Sequence, residues 1–440
     1  MNVALGIRRE DKNEWERRVP LTPDQVGSLI RDHGLSVIVQ PSELRVFPDD
    51  AYREAGALVQ EDLSPCRIVL GVKEMPASLF RPGTLYVFFS HTIKGQSYNM
   101  PMLRALMGAG AHLMDYERIV DSAGRRLVLF GRYAGLAGMI ESLHALGRRL
   151  AWEGCDPGLN PFLSVQQPYR YETLENALGR LKEEAAAALE KSGVPESLGP
   201  VVIGVLGYGN VARGALEILD SCFPVRRWKP RDLLSGAVAD ASRRMLHVVV
   251  FGEKDTVRRS DGGSFDLQDY YAHPEKYRPA LAPYLPHLTV LINAIYWDPR
   301  YPVLVTAENL REVYAHPKAK LQVIGDITCD IEGSIAVTRK ATSPSDPCYV
   351  YDVETDGLLD GMEGGRGPVI MAVDNLPCEF PREASEDFGK ALMPFLPELC
   401  RLDLNDPGAP AALPDPLKPA LIVHRGELTP DYAYLKPFLA

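Results

Sequence analysis

The sequence predicts an α/β protein of two doubly wound, Rossmann-like domains, with mostly parallel sheets and an active-site cleft separating them. Three observations predict it. Apolar, β-branched runs of strand length alternate with helix-like segments over residues 1–150. The same alternation restarts at "VVIGVL". Directly behind that run stands Gly207-x-Gly209-x-x-Ala212, a glycine turn opening a helix. A chain of 440 residues with 46% hydrophobic content can build a core in each of two or three domains.

Taken in order, "NVALGI" reads as the first strand. Thr22 then caps a helix that begins at Pro23 and stops at Gly34. "SVIVQ", "IVLGV", "LYVFF", "HLMDY" and "LVLF" follow as strands, with helices near 50–55 and 102–107. A long amphipathic helix is expected over 135–152, leaving a first, substrate-binding domain of residues 1–150. Residues 151–200 form a linking helical segment, whose "TLENALGRLKEEAAAALEKSG" reads as a solvated charged face. Residues 201–345 make a second domain through "VVIGVL", "HVVVFG", "VLINAIYW" and "LQVIGDI". From 346 to 440 come Gly-rich turns, a strand at "PVIMAV", a helix in "PREASEDFGKALMPFLPEL" and a Pro-rich tail from Asp406 that would pack along the surface. This last segment is expected to return to the first domain.

A net charge of −10 argues against nucleic acid or an anionic membrane as the main partner. No apolar run approaches the ~20 residues of a membrane helix, and "MNVALGIRRED" has no leader pattern. Seven cysteines, scattered singly and with no C-x-x-C pair, read as reduced thiols of a cytoplasmic protein, with neither a disulfide frame nor a zinc site.

In the glycine turn, Gly207 permits the tight bend and Gly209 lets backbone approach a pyrophosphate. Asn210 and Val211 open the helix, and Ala212 keeps helix and strand close. The turn therefore predicts a dinucleotide, with Ile295 expected on the same cofactor. About twenty residues on, where an acidic residue would hold a ribose 2′-hydroxyl, the chain has "VRRWK". Arg226, Arg227 and Lys229 could clamp a 2′-phosphate, which favours NADP(H) over NAD(H).

Ligands of open parallel sheets bind beyond the carboxyl ends of the strands. Here those ends carry charge: Arg18 after the first strand, Lys73 and Glu74 after "IVLGV", His91 and Lys94 after "LYVFF", Asp115 and Glu117 at the end of "HLMDY", and Arg126 beyond. Each alone is ordinary on a surface. Gathered at one sheet edge, the cations suit a substrate with several carboxylates, and Lys73, His91 and their acidic neighbours suit proton transfer near neutrality.

At these residues the sequence resembles the lysine–ketoglutarate reductase domain of aminoadipic semialdehyde synthases, and more distantly lysine-forming saccharopine dehydrogenases and alanine dehydrogenases. The resemblance is carried in order by "RREDKNEWERRVPLTP", "LGVKEMP", "FFSHTIKGQ", "DYERIVD", "FGRYAGLAGMI", "LINAIYWD", "GDITCDIEGSI" and "DNLPCEFPREASEDFG". It implies a monofunctional, NADPH-dependent reductase that condenses L-lysine with 2-oxoglutarate through an imine to saccharopine, the first step of lysine degradation. It implies acid–base roles for Lys73 and His91, tuned by Glu74 and Glu117. Arg18, Lys94 and Arg126 would hold substrate carboxylates, and Asp326 would lie on the nicotinamide side. No metal is implied. An alanine-dehydrogenase-like or other opine-forming enzyme is the alternative within oxidoreductases, and a non-catalytic NADP(H) sensor the alternative outside them. The oligomeric state stays open, with a homo-oligomer among the options.

Overall fold

The computed structural model describes residues 4–316 and 319–439, so Asn2 and Val3 of the expected first strand lie outside the described residues. The chain divides into two compact units. One runs to Phe130 and resumes at Pro381; the other is Gly131–Phe380.

In the first unit the apolar runs fold as β1 (Ala4–Ile7), β2 (Ser36–Val39), β3 (Leu58–Val59), β4 (Cys66–Leu70), β5 (Leu85–Phe88) and β6 (His112–Asp115). They lie in the order β3-β2-β1-β4-β5-β6, all parallel. Every residue of β5 and β6 is buried, as expected of strands covered on both faces. The helix Pro23–His33 carries the capping box that Thr22 foretold, closed by Gln25, and Gly34 ends it at φ 64°.

The second unit contains β7 (Val201–Leu206), β8 (Val225–Trp228), β9 (Leu246–Phe251), a small antiparallel pair β10 (Val257–Arg259) and β11 (Tyr277–Pro279), then β12 (Val290–Asn293), β13 (Val323–Asp326), β14 (Cys348–Asp352), β15 (Gly357–Asp360) and β16 (Val369–Met371). Its eight-stranded sheet runs β8-β9-β7-β12-β13-β16-β14-β15. The strands from β8 to β16 in that order are parallel, and β14 and β15 are antiparallel. The long helix Gly131–Trp152 crosses the helix Asn210–Cys222 at backbone contact. A Cβ on Gly135 would stand 2.0 Å from the Val211 carbonyl oxygen, and one on Gly214 would stand 2.1 Å from that of Arg132. No larger residue fits at either place.

Returning to the first unit, β17 (Leu421–His424) and β18 (Glu427–Leu428) complete its sheet, with β17 antiparallel against β6.

Four expectations need correction. The helix begun near 131 belongs to the second unit, because it packs along the helix behind the glycine turn. Residues 346–380 also stay with the second unit, because β14 and β16 are hydrogen-bonded into its sheet. "LVLF" is no strand: Leu127 N–H donates to the Ile119 carbonyl across the Gly124 turn, and the sheet edge beside β6 is taken by β17. The tail beyond Asp406 is not a surface wrapping, for Ile422 and Val423 of β17 are fully buried. Among the described residues no helix is long and apolar enough to cross a membrane.

Candidate active site

The first unit concentrates its chemistry at the carboxyl ends of β1, β4, β5 and β6. Strand pairing continues past β4 and β5, with Gly71 donating to the Val87 carbonyl and Phe89 to that of Val72. Lys73 and His91 thus leave neighbouring strand ends. His91 adopts φ 48°, an uncommon left-handed backbone for a non-glycine residue. Its turn is clamped. Asn99 Nδ2 donates to the carbonyls of Ser90 and His91 at 3.1 and 3.3 Å. Ser90 donates its backbone N–H (2.9 Å) and its hydroxyl (2.5 Å) to Asp115 Oδ2.

The imidazole is held as firmly as its backbone. His91 Nδ1 lies 2.7 Å from Glu74 Oε1, and Lys12 Nζ lies 2.9 Å from Glu74 Oε2. Partial burial works to raise the Glu74 pKa, but hydrogen bonds from His91 and Lys12 outweigh it and hold the carboxylate well below its usual range. An ionised carboxylate only accepts, so Nδ1 carries the hydrogen and Nε2 is the nitrogen available for proton transfer.

Glu10 does the corresponding work for Lys73. It is buried, and its two oxygens accept the backbone N–H groups of Val72 (2.7 Å) and Lys73 (3.0 Å). Burial, reinforced by Glu16, pushes it up to about 7. Burial, with Glu117 alongside, pushes Asp115 up to about 6.

The expected carboxylate-binding cations are placed unequally. Arg18 is 2% exposed and forms a two-point pair with Glu16, Nε–Oε1 at 2.8 Å and NH2–Oε2 at 2.6 Å, its guanidinium 4.2 Å from the Phe130 ring centre. Arg126 is about half exposed and pairs with Glu117 at 3.2 Å. Lys94 is exposed. Lys73, His91, Glu74 and Glu117 are partly accessible, at the same strand ends.

In the second unit Gly207 has φ 94°, and a Cβ there would stand 3.0 Å from the Ala294 carbonyl oxygen. A Cβ on Gly209 would meet open space. A cavity of about 200 Å³ opens over this turn, lined in part by Tyr208, Gly252, Glu253, Tyr271 and Ile295. Helix start, glycine backbone and open space together fit a pyrophosphate. Asn210 and Val211 begin the helix, and Ala212 is fully buried against the fold.

Arg226 and Arg227 lie elsewhere, which corrects the sequence reading of "VRRWK". β8 is separated from β7 by β9, and its last residue, Trp228, is level with Gly204 through Val249. The strand therefore stops about 10 Å short of Gly207 along its length and roughly 9.5 Å to the side. Arg226 stacks 4.0 Å over Trp228, and Arg227 pairs with Asp220 at 2.5 Å. Asp326 is 1% exposed and accepts from Asn293 Nδ2 (2.8 Å), the Thr338 hydroxyl (2.5 Å) and the Cys329 N–H (3.1 Å). It organises the loop after β13, and burial pushes it up to about 6.

Sequence reasoning missed Glu10, Lys12 and Glu253. Glu10 and Lys12 stand in "RREDK" directly after β1, where the strand-end rule could have found them. Glu253 ends the "HVVVFGE" run, but only strand order shows which turn it joins.

Residues 6–137 match the family model described as alanine dehydrogenase/PNT, N-terminal domain. A solved L-alanine dehydrogenase superposes over 100% of both chains with TM-score 0.63 at 20% identity. The fold is thus of alanine dehydrogenase type. Alpha-aminoadipic semialdehyde synthase of Arabidopsis thaliana is 37% identical over 99% of this chain and 41% of its own. The mitochondrial enzyme of that name from Rattus norvegicus is 33% identical over 98% of this chain and 47% of its own. The chain is a homologue of the alpha-aminoadipic semialdehyde synthases with a fold of alanine dehydrogenase type, spanning less than half the length of these relatives.

Proposed function

We propose that the chain is an oxidoreductase that joins L-lysine and 2-oxoglutarate to give saccharopine, using a reduced nicotinamide dinucleotide. The observation that carries this is the paired clamping at the ends of β4 and β5. Glu10 fixes the backbone at Lys73, and Glu74 fixes the ring of His91. Likeness to the semialdehyde synthases supplies the substrate pair.

The lysine ε-amine must lose a proton, attack the keto carbon and lose water to give an imine. His91 Nε2 and Lys73 Nζ are the groups we assign to that proton traffic. Glu74, ionised between Lys12 and His91, stabilises the imidazolium each time His91 accepts a proton. Lys94 and Arg126 hold substrate carboxylates. Arg18 is already satisfied by Glu16, so its part is to support the Phe130 side of the site rather than to meet substrate as a free cation. A reduced dinucleotide, when bound, would supply hydride to the imine carbon. Gly207, Gly209 and the N–H groups opening the helix at Asn210 would hold its pyrophosphate, and Ile295 would line its pocket. The NADP(H) expectation rested on Arg226, Arg227 and Lys229, and the position of the two arginines withdraws their support. Seven cysteines scattered singly along the sequence suit a reducing compartment; we assign the cytosol, and fractionation decides between it and the mitochondrion named for the rat relative.

The test follows oxidation of the reduced dinucleotide with lysine and 2-oxoglutarate together and with each omitted. Turnover that needs both, with saccharopine as product, supports the proposal. Turnover with ammonia in place of lysine would move the chain to the alanine-dehydrogenase-like alternative.

A further inference from the structure

Two loops of the first unit that carry site residues are bonded to one helical segment, Pro430–Leu439. We infer that Tyr434 of that segment, with Phe438 beside it, is a positioning residue for Lys94. It holds the turn that presents this cation to a substrate carboxylate. The inference rests on the role proposed above for Lys94.

The loop after β5 is fastened from within by its own polar residues. Ser90 and Thr92 are fully buried, their hydroxyl oxygens 2.8 Å apart, and the Ser90 hydroxyl donates to Asp115. Gly95, at φ 69°, donates its N–H to the Thr92 carbonyl at 2.9 Å and closes a turn. Ile93 and Lys94 are the two central residues of that turn, and Lys94 is exposed.

The Ile93 carbonyl belongs to the central peptide, which the closing bond of the turn does not restrain. Turn types I and II differ by rotation of this peptide. Fixing its oxygen therefore fixes the direction in which Lys94 leaves the backbone. The Tyr434 hydroxyl donates to that oxygen at 2.6 Å. On the other side of Lys94 the Phe438 ring lies against Gly95. A Cβ there would stand 2.7 to 2.9 Å from three ring carbons.

The segment is itself firmly seated. Tyr432 and Leu435 are buried. The Tyr432 hydroxyl accepts from Arg118 Nε at 3.0 Å and donates to the Pro419 carbonyl at 2.5 Å. Arg104 donates to the Leu439 carbonyl at 3.1 Å. Arg118 follows Glu117 in the turn after β6, so the segment ties that turn and the Lys94 turn to one support.

Steady-state kinetics of the full chain, with 2-oxoglutarate varied, test this. Tyr434→Phe removes one hydroxyl. It should raise KM for 2-oxoglutarate about 3- to 10-fold, the worth of one hydrogen bond, with kcat within about twofold of wild type. A hydroxyl that only stitched the surface would move the melting temperature and leave KM alone. The same substitution is then made in Lys94→Ala. With no cation left to position, it should change kcat/KM less than about twofold there. An unchanged KM in folded Tyr434→Phe, or the same fold-change with and without Lys94, overturns the inference and leaves the proposed reaction intact. If Lys94→Ala turns over too slowly to assay, the split of KM against kcat in Tyr434→Phe decides. If Tyr434→Phe does not fold, Phe438→Leu takes its place in the same cycle. A wild type that does not turn over lysine with 2-oxoglutarate overturns the proposed reaction, and this inference with it.

Discussion

The two sheets begin alike and part company at the second strand. In the first unit the chain lays β2 beside β1. In the second, the strand that follows β7 in sequence is laid one place further out, and β9 slips in between. The consequence for function is direct. Lys73, Glu74, His91 and Glu117 stand within a few residues of strand ends in the first unit, whereas the basic residues expected beside the glycine turn of the second are two strands away. A spacing rule such as "acid about twenty residues after the glycine" assumes that consecutive strands are neighbours. Where they are not, the rule points at the wrong residues.

The largest effect that would break this comparison lies in the first unit. Lys73→Met and His91→Gln are each expected to lower kcat by about 100- to 10,000-fold, the range of a lost general acid or base, with dinucleotide binding intact. Steady-state assays paired with titration of the cofactor measure both halves. Near-wild-type kcat in both variants would sink the assignment.

Next comes the turn itself. Gly207→Ala adds a Cβ that both strains a φ of 94° and crowds the Ala294 carbonyl. Dinucleotide affinity should fall by about 10- to 100-fold, while the thermal transition moves by a few degrees at most. A binding isotherm unchanged from wild type would show that the turn is structural only.

A smaller effect separates positioning from catalysis. Glu10→Gln sets an amide where a carboxylate accepted two N–H groups. A loss of roughly 1–3 kcal/mol of stability should come with a kcat drop of about tenfold and an altered pH profile. Chemical denaturation and the pH–rate curve read the two separately. A change in stability alone would leave Glu10 as scaffold.

The pH dependence of stability follows from the same buried acids. Glu10 rises from 4.5 to about 7, and Asp115 and Asp326 from 3.8 to about 6, all chiefly through burial. Glu141 and Glu379, buried together in the second unit, are both raised by burial. Between the ordinary and the raised values the folded protein binds more protons than the unfolded one. Their contribution is present on the acid side and lost as pH rises toward neutrality and beyond. The melting temperature should fall by roughly 2–4 °C between about pH 5.5 and pH 8, and Glu141→Gln should flatten the upper part of that slope. A melting temperature that climbs over this interval would contradict it.

The smallest expected effect sharpens the comparison most. Arg226→Ala with Arg227→Ala should leave the NADH to NADPH affinity ratio within about twofold, since two strand spacings separate these side chains from the turn.

Much of the fold was legible because local chemistry decided it. Thr22, Pro23, Gln25 and Gly34 specify one helix by capping and backbone preference, and the apolar runs at 66–70, 85–88 and 201–206 could only be buried strands. The strand-end rule located Lys73, Glu74 and His91 for the same reason: a buried run must stop where charge begins. Glu10 stayed hidden because its partners are backbone N–H groups 62 and 63 positions away, and such bonds leave no periodic trace. The tail misled because its strand is short and antiparallel, one place in from the edge of a sheet begun more than 300 residues earlier.

The sequence by itself determined most element types, the glycine turn and the placing of Lys73 and His91 just past buried strands, all set by interactions within a few residues. Tertiary structure alone decided which strands are neighbours. That choice depends on burying whole faces against one another, and it leaves two arginines two strands from the glycine turn they were expected to serve.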